Sequence, residues 1–398
     1  MNYDRFLNSK ITSTKPSGIR KFFDIANEMD NVISLSIGEP DFQTPWHIRE
    51  QGINSLEMGK TWYTPNRGLS ALCMEICRYF ERRFGVSYRS DTDVLVTVGG
   101  SEAIDCALRC MVGEGDEVLI PQPSFVCYEP LTAMTGAAPV IIETKAENEF
   151  RLTPEEIEEK VTDKTKLLIL PYPNNPTGGS MRKEDYEAIA PVIEKYDLMV
   201  LSDEIYAELS YGEQPPVSFA SIKGMQERTI VVSGFSKAYA MTGWRLGYAL
   251  GPKDILAQMI KLHQYAIMSA PTTAQYAAIE ALRNGDSDIK HMREQYDMRR
   301  RLIVSSFNDM GLSCFEPRGA FYVFPCIKST GMTSEEFATK LLMTKHVAVV
   351  PGNAFGESGE GFIRVSYSYS LNHIKEALDR IKAFITEIKD NANDRSGA

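Results

Sequence analysis

The sequence lacks the excess of positive charge that non-specific binding to nucleic acids requires. Its 43 lysines and arginines are outnumbered by 53 aspartates and glutamates, so the formal net charge is -10 at pH 7 and the pI is near 5.2. Binding to phosphate backbones needs clustered cations, and we therefore expect no nucleic-acid partner. No apolar run approaches the roughly 20 residues that span a bilayer. The polar N-terminal segment lacks the apolar centre of a signal peptide, so we expect a cytoplasmic protein without a membrane partner.

Patterns of metal ligands are missing as well. The five histidines are scattered along the chain without ligand spacing. The seven cysteines, an odd number, fit a reducing compartment. Two cysteine pairs with i, i+4 spacing, Cys73/Cys77 and Cys106/Cys110, lie in apolar helical patterns, where thiols serve as small hydrophobic side chains. We expect no metal site.

The middle of the chain alternates between β-rich runs and helical patterns. Seven runs predict strands, at 93–98, 117–121, 139–144, 166–173, 198–204, 229–235 and 245–251. Several of these runs are continuously apolar, as in strands that are covered on both faces. Helical patterns separate most of them, at 101–112, 154–160, 182–196 and 253–261. This alternation predicts an α/β domain with a mostly parallel seven-stranded sheet sandwiched by helices.

The pattern changes after about residue 275. A long helical segment leads to the β-rich runs GAFYVFP, VAVVPG and GFIRVSYS and then to a last helix, which predicts a second, smaller α+β domain. We expect the N-terminal segment to pack with it, because VISLSIGEPDF precedes the alternating pattern. The predicted parts are an N-terminal arm with part of the small domain at 1–45, a large domain at 46–285 and a small C-terminal domain at 286–398.

Polar segments follow four of the predicted strands. They are GGSE at 99–102, NNPTG at 174–178, DEIY at 203–206 and SK at 236–237. Each alone has an ordinary explanation as a cap, a turn or a solvated lysine. Small residues that open a helix can also bind a phosphate through their N–H groups. Because ligands of open parallel sheets bind beyond the carboxyl ends of the strands, the four segments together predict a ligand site.

The motifs SIGEPDFQTP, YPNNPTG, SDEIY, SGFSKAYAMTGWRLGY and GFIRVSYS, in this order, resemble those of the class I aminotransferases. These are pyridoxal 5'-phosphate (PLP) enzymes of fold type I, and the resemblance runs from about Ser17 to the final helix. The segments IPQPSFVCYEP and VAVVPGNAFGESGEGFIRVSYS look especially like archaeal-type aromatic aminotransferases. The resemblance implies PLP as cofactor, residues 46–285 as the PLP-binding domain, and a homodimer with active sites at the subunit interface.

The same resemblance implies three catalytic residues. Lys237 would bond covalently to the cofactor aldehyde and then move the substrate's α-proton as general base and acid. Asp203 would face the pyridine nitrogen and favour its protonated form. Tyr206, together with Asn175, would hydrogen-bond the phenolic oxygen of the cofactor.

Further contacts to the cofactor follow from the resemblance. They are Gly100, Ser101, Glu102, Phe125, Ser236, Arg245 and, from the neighbouring subunit, Tyr63. Arg245 would bind the phosphate as a planar fork, with Ser101, the backbone of Gly100 and Ser236 completing the phosphate site. Phe125 would stack on the cofactor ring.

The substrate contacts implied by the resemblance are Gly38, Asn175, Arg364 and Ile19. Arg364 would clamp the α-carboxylate with two parallel hydrogen bonds, and Gly38 would offer a close approach of the backbone. Aspartate-preferring relatives can carry a lysine where this chain has Ser101, and the remaining pocket is rich in aromatic residues. We therefore expect aromatic or large neutral amino acids as substrates.

The expected function is PLP-dependent transamination between an L-amino acid and a 2-oxo acid such as 2-oxoglutarate, by a ping-pong mechanism. Three alternatives stay open. One is an aspartate-type aminotransferase, and another is a C–S lyase that uses the same cofactor for β-elimination. The third, a regulatory binding module, is disfavoured by the presence of both Lys237 and Asp203.

Overall fold

The computed structural model describes residues 3–14, 18, 29–212 and 215–396 of the chain. The strands are β1 (Ile33–Ser34), β2 (Val94–Thr97), β3 (Glu117–Gln122), β4 (Ala138–Glu143), β5 (Thr165–Leu170), β6 (Met199–Asp203), β7 (Thr229–Gly234), β8 (Gly247–Leu250), β9 (Tyr322–Val323), β10 (Val347–Ala348), β11 (Val350–Pro351) and β12 (Ile363–Ser366). The α-helices are α1 (Ser9–Thr12), α2 (Trp46–Glu57), α3 (Ser70–Phe84), α4 (Gly100–Met111), α5 (Tyr128–Thr135), α6 (Pro154–Lys160), α7 (Lys183–Lys195), α8 (Lys253–Ala266), α9 (Thr272–Asn284), α10 (Asp286–Asp309), α11 (Ser334–Lys345) and α12 (Leu371–Ser396).

A seven-stranded sheet forms the centre of the larger part, with the strand order β2-β8-β7-β6-β5-β3-β4. Only β8 runs antiparallel to its neighbours, β2 and β7, and the other neighbouring strands are parallel. The mostly parallel seven-stranded sheet is therefore confirmed, as is each of the seven predicted strands within a few residues.

The sheet is apolar on both faces because successive side chains of each strand point to opposite sides. In β5, Leu167 and Ile169 pack in a cluster with α4 and α8. Leu168 and Leu170, the alternate residues, pack in another cluster with α7. At the β2–β8 end, a third cluster joins the sheet to α3 and α9. Helices therefore cover both faces, which explains the continuously apolar runs.

Local signals in the sequence fix several helix ends. Thr153 caps α6, and its hydroxyl accepts the N–H of Glu156 while the Glu156 carboxylate accepts the N–H of Thr153. Thr333 and Glu336 form the same reciprocal cap at α11. Such a capping box satisfies two N–H groups that the helix itself leaves unpaired. No helix in the described ranges combines the length and apolarity needed to cross a bilayer.

The C-terminal third forms a second group of elements with part of the N-terminal segment. β1 pairs in parallel with β10, and β11, β12 and β9 form an antiparallel sheet. One buried cluster contains Ile33 and Leu35 together with apolar residues of α10, α11 and α12. We propose the division at residues 45/46 and 285/286 on this basis.

Candidate active site

A cavity of about 620 Å³ opens where the central strands end. Eleven of the fourteen predicted site residues line it: Gly38, Gly100, Ser101, Phe125, Asn175, Asp203, Tyr206, Ser236, Lys237, Arg245 and Arg364. The four polar segments thus meet at one edge of the sheet, because β2, β5, β6 and β7 all end there. Residues from the N-terminal segment and the C-terminal third, among them Gly38 and Arg364, complete the wall.

Lys237 lies between the two groups of elements. Its Nζ donates a hydrogen bond to Gly38 O at 2.6 Å, and its side chain is half-buried against the rings of Tyr206 and Phe321. Burial lowers the pKa of the Lys237 amine to about 8, and the nearby cations Arg364 and Arg245 also lower it, against the opposite effect of the acidic groups. A lysine with a lowered pKa loses its proton readily, which a nucleophile or general base requires.

Asp203 is a buried carboxylate at the end of β6. Its Oδ2 accepts a hydrogen bond from Tyr128 Oη at 2.7 Å, and its Oδ1 accepts the N–H of Ile205 at 3.2 Å. Burial raises the pKa of Asp203, while these two hydrogen bonds and the Lys237 charge act in the opposite direction. Tyr128, the first residue of α5, is a site residue that the sequence reasoning missed.

One end of the cavity has the donors that an anion requires. Helix α4 begins there at Gly100, and no side chain from the part of the chain that the structure describes caps its first N–H groups. Gly99 has a φ of +81°, and a Cβ at this position would lie 2.6 Å from Nη2 of Arg245. Arg245 itself is in the left-handed region, with a φ of +52°, and donates from Nη1 to Thr242 O at 2.9 Å. A free helix N-terminus beside a guanidinium suits a phosphate.

The other end of the cavity contains a buried guanidinium that pairs with no carboxylate of the described residues. Arg364 donates from Nη1 to Asn175 Oδ1 at 2.8 Å and from Nη2 to Ser36 O at 2.5 Å, and its charge lies 4.6 Å from the ring centre of Tyr322. Its Nε has no hydrogen-bond partner among the residues that the structure describes. Burying an unpaired charge is costly, so this site is suited to a carboxylate ligand.

Tyr206 and Tyr322 add two phenol groups to the wall. Their hydroxyl groups lie 2.9 Å apart, and both residues are buried. Phe125 lines the same cavity and packs edge-on against Tyr128, with the ring centres 6.1 Å apart. Aromatic surfaces of this kind suit a flat heterocyclic ring and an apolar substrate side chain.

Two predicted residues within the described ranges, Glu102 and Tyr63, do not line the cavity. The Glu102 carboxylate folds back onto its own loop and accepts the N–H of Val98 at 2.5 Å, with His263 Nδ1 2.6 Å from its other oxygen. Tyr63 is 80% exposed and does not line this cavity. Ile19 lies outside the described residues.

The comparisons with known proteins agree with this geometry. The profile of the family "Aminotransferase class I and II" matches residues 30–381. This chain belongs to the class I and II aminotransferases. The aminotransferase is 45% identical to an aspartate aminotransferase of Pyrococcus abyssi, over 96% of this chain and 99% of that protein. It is 43% identical to the aromatic-amino-acid aminotransferase 2 of Thermococcus litoralis, with the same coverage. The solved structure of an aromatic aminotransferase from Pyrococcus horikoshii matches with a TM-score of 0.89 and 42% identity, over 93% of this chain and 99% of that one.

The aminotransferase depends on PLP, and the residues of the cavity fit this cofactor. The N-terminus of α4 and Arg245 would provide donors for the phosphate, and Lys237 would provide an amine for the aldehyde. The Asp203 carboxylate would provide an acceptor for a protonated ring nitrogen. When bound, PLP supplies an electron sink for the electron pair that remains when the substrate's α-proton leaves.

Proposed function

We propose that this aminotransferase transfers the amino group of aromatic or large neutral L-amino acids to a 2-oxo acid such as 2-oxoglutarate, by a ping-pong mechanism. The observation that carries the proposal is the charge of the cavity wall. Within residues 29–212 and 215–396, its cations are Lys237, Arg245 and Arg364. Since these three would serve the covalent bond, the phosphate and the α-carboxylate, none is left for an acidic side chain.

The proposed role of Lys237 is to hold the cofactor covalently and to accept the proton that leaves the substrate's α-carbon. A pKa of about 8 suits this role, because the amine is neutral in a useful fraction near physiological pH and becomes a stronger acid once protonated. Gly38 O, at 2.6 Å from Nζ, would orient the amine between transfers.

Arg364 and Asp203 have complementary roles in this proposal. Arg364 would bind the α-carboxylate through its fork, which fixes the direction of the bond to the α-proton. Asp203, held by Tyr128, would stabilise the positive ring nitrogen of the cofactor. Tyr206 and Asn175 would bind the phenolic oxygen, while Phe125 would stack on the ring. Gly100, Ser101, Ser236 and Arg245 would bind the phosphate.

An aspartate-type aminotransferase is the second candidate. The Pyrococcus abyssi relative, at 45% identity, is named an aspartate aminotransferase, and this supports activity with an acidic amino acid. Such an activity would require a cation from elsewhere, such as the partner subunit, because the residues described in one chain place no cation in the wall beyond the three named above.

A single-turnover experiment separates the two candidates. The purified enzyme with bound PLP is mixed with phenylalanine, leucine or aspartate without an oxo acid, and the loss of cofactor absorbance is followed. We expect phenylalanine and leucine to react faster than aspartate at equal concentration. A faster reaction with aspartate would instead favour the aspartate-type enzyme. Lys237→Ala is the control and should abolish both the absorbance of the lysine-bound cofactor and the turnover.

We also propose a homodimer with its active sites at the subunit interface. Large apolar side chains that are 42–88% exposed occur in three segments: Trp46, Trp62, Tyr63, Tyr265, Ile267 and Met268. The second and third of these segments adjoin, since Asn66 Nδ2 donates to Met268 O at 2.8 Å. Sedimentation of the purified enzyme tests this proposal, and a stable monomer with full activity would contradict it.

A cytoplasmic location is proposed as well, since all seven cysteines are free thiols.

A further inference from the structure

A buried histidine lies behind the proposed phosphate site. His263, in the last turn of α8, is 0% exposed, and its Nδ1 lies 2.6 Å from Oε1 of Glu102. Glu102 belongs to the first turn of α4, and its Oε2 accepts the backbone N–H of Val98 at 2.5 Å. His263 therefore links the end of one helix to the loop that leads through Gly99 to Gly100.

Packing alone does not explain this histidine. Its Nε2 is buried without a hydrogen-bond partner in the described part of the chain, so a desolvated polar atom stays unsatisfied. An apolar residue at position 263 would avoid this cost. In addition, Glu102 is acidic and sits in the first turn of α4, where its charge would oppose a phosphate bound at the same helix N-terminus. A side chain that holds the Glu102 carboxylate away from a bound phosphate would reduce this repulsion.

We propose that His263 is a positioning residue for the cofactor phosphate, an inference that rests on the proposed phosphate site at Gly100, Ser101 and Arg245. Its Nδ1–H holds the Glu102 carboxylate against the N–H of its own loop and so directs the negative charge away from the phosphate. The N–H groups at the start of α4 then remain open to phosphate oxygens. His263 does not line the cavity and acts only through Glu102.

The test compares the affinity of the enzyme for PLP with its affinity for pyridoxal, which lacks the phosphate. The full-length enzyme is loaded with either compound and diluted, and protein fluorescence reports the release. Both compounds would form the same bond with Lys237. The dissociation constant of pyridoxal divided by that of PLP therefore isolates the contribution of the phosphate, and this ratio falls when the phosphate is bound more weakly. We expect His263→Leu to lower this ratio about tenfold, as expected when one charge-assisted hydrogen bond to the phosphate weakens.

Two polar variants separate positioning from simple packing. His263→Asn carries an amide nitrogen where Nδ1 stands and should keep the ratio within about twofold of the wild type. His263→Gln extends its amide nitrogen to the position of Nε2 and should lower the ratio as His263→Leu does. Met259→Ala is the matched control, because Met259 is buried one turn earlier on α8; it should lower stability and leave the ratio unchanged.

The phosphorus NMR signal of bound PLP provides a second readout. We expect it to shift in His263→Leu and His263→Gln and to stay in place in Met259→Ala. An unchanged ratio in both His263→Leu and His263→Gln overturns the inference. If His263→Leu does not fold, equal ratios in His263→Asn and His263→Gln overturn it. Arg245→Leu tests the phosphate site itself. An unchanged ratio in that variant contradicts the proposed site, whereas a lowered ratio there with unaffected His263 variants contradicts only the role of His263.

Discussion

The pKa of Lys237 predicts a pH-dependent stability that one substitution removes. In the cofactor-free protein the pKa of this amine falls from 10.5 to about 8, chiefly because of burial. The folded state therefore binds the proton more weakly than the unfolded state does. Below pH 8 both states are protonated and the folded state bears the full cost of the buried charge. As the pH rises from 8 to 10.5 the folded amine becomes neutral first, so this cost is relieved.

The magnitude follows from the two pKa values. Each pKa unit corresponds to about 1.4 kcal/mol, so the full effect is about 3.4 kcal/mol at most, since the half-buried amine keeps some contact with water in the cavity. Integration over pH gives a gain in unfolding free energy of about 1.4 kcal/mol between pH 6 and pH 9 and about 2.6 kcal/mol between pH 6 and pH 10. Lys237→Met, an apolar replacement of similar length, should lack this gain.

The measurement is urea unfolding of cofactor-free wild type and Lys237→Met at pH 6, 8, 9 and 10. Other groups that titrate over this range act on both proteins, so they cancel in the difference. We expect the variant to be more stable at pH 6 and its advantage to shrink as the pH rises. A difference that stays constant from pH 6 to pH 10 would refute the reasoning, because it would place the pKa of Lys237 at its ordinary value.

Three further changes test other parts of the site. Arg364→Lys keeps the charge but loses the fork, and should raise the KM for the amino acid about 100-fold with a smaller loss in kcat, measured by steady-state kinetics. Tyr128→Phe removes one donor to Asp203, which raises the pKa of that carboxyl further; we expect kcat to fall about tenfold and the acidic limb of the pH profile to move to higher pH. Gly99→Ala places a Cβ at 2.6 Å from Arg245 Nη2 in a backbone with a φ of +81°, and should weaken PLP binding at least about tenfold in a fluorescence titration. Unchanged values in any of these variants would contradict the corresponding contact.

The central sheet could be predicted from sequence because its signal is local. Each long strand is a short apolar run between a helical pattern and a polar segment, as in Thr165–Leu170. The two-residue strands differ, because β-rich runs such as VAVVPG indicate that a strand is present but not which segment it pairs with. β1 exists only because Ile33 pairs with Val347, far away in the chain, and nothing in either short segment indicates the partner. Pairing of this kind depends on tertiary structure, which composition and periodicity do not reveal.

The candidate site residues also divide into those that local sequence patterns bring together and those whose contacts depend on tertiary structure. Lys237 and Asn175 follow strong strand patterns. Because the carboxyl ends of parallel strands meet at one edge of the sheet, the sequence predicts that these two residues lie close together. Tyr128 escaped notice because its contact with Asp203, 75 positions later, appears only once α5 packs beside the sheet. The position of Glu102 after a strand follows from the sequence, but the direction of its carboxylate does not. The carboxylate turns back to the loop because it accepts the nearby backbone N–H of Val98.

The N-terminal segment that contains Gly38 is anchored by the C-terminal third. Asp41 pairs with Arg299 Nη1 at 2.8 Å, and Ser368 Oγ donates to Glu39 O at 2.5 Å. Both anchors lie outside the central sheet. The carbonyl groups of this segment therefore keep fixed positions relative to β12 and α10, and through them relative to Arg364.

Two of these carbonyl groups connect the Arg364 end of the cavity with Lys237. Ser36 O accepts from Arg364 Nη2, and Gly38 O, two residues on, accepts from Lys237 Nζ. A carboxylate that binds the Arg364 fork must compete with Ser36 O and Asn175 Oδ1 for the same N–H groups. Because Ser36 O and Gly38 O belong to one anchored segment, the acceptor of the Lys237 amine has a set position relative to the Arg364 guanidinium. A substrate carboxylate bound by Arg364 would therefore lie at a set position relative to the amine that is proposed to take the α-proton.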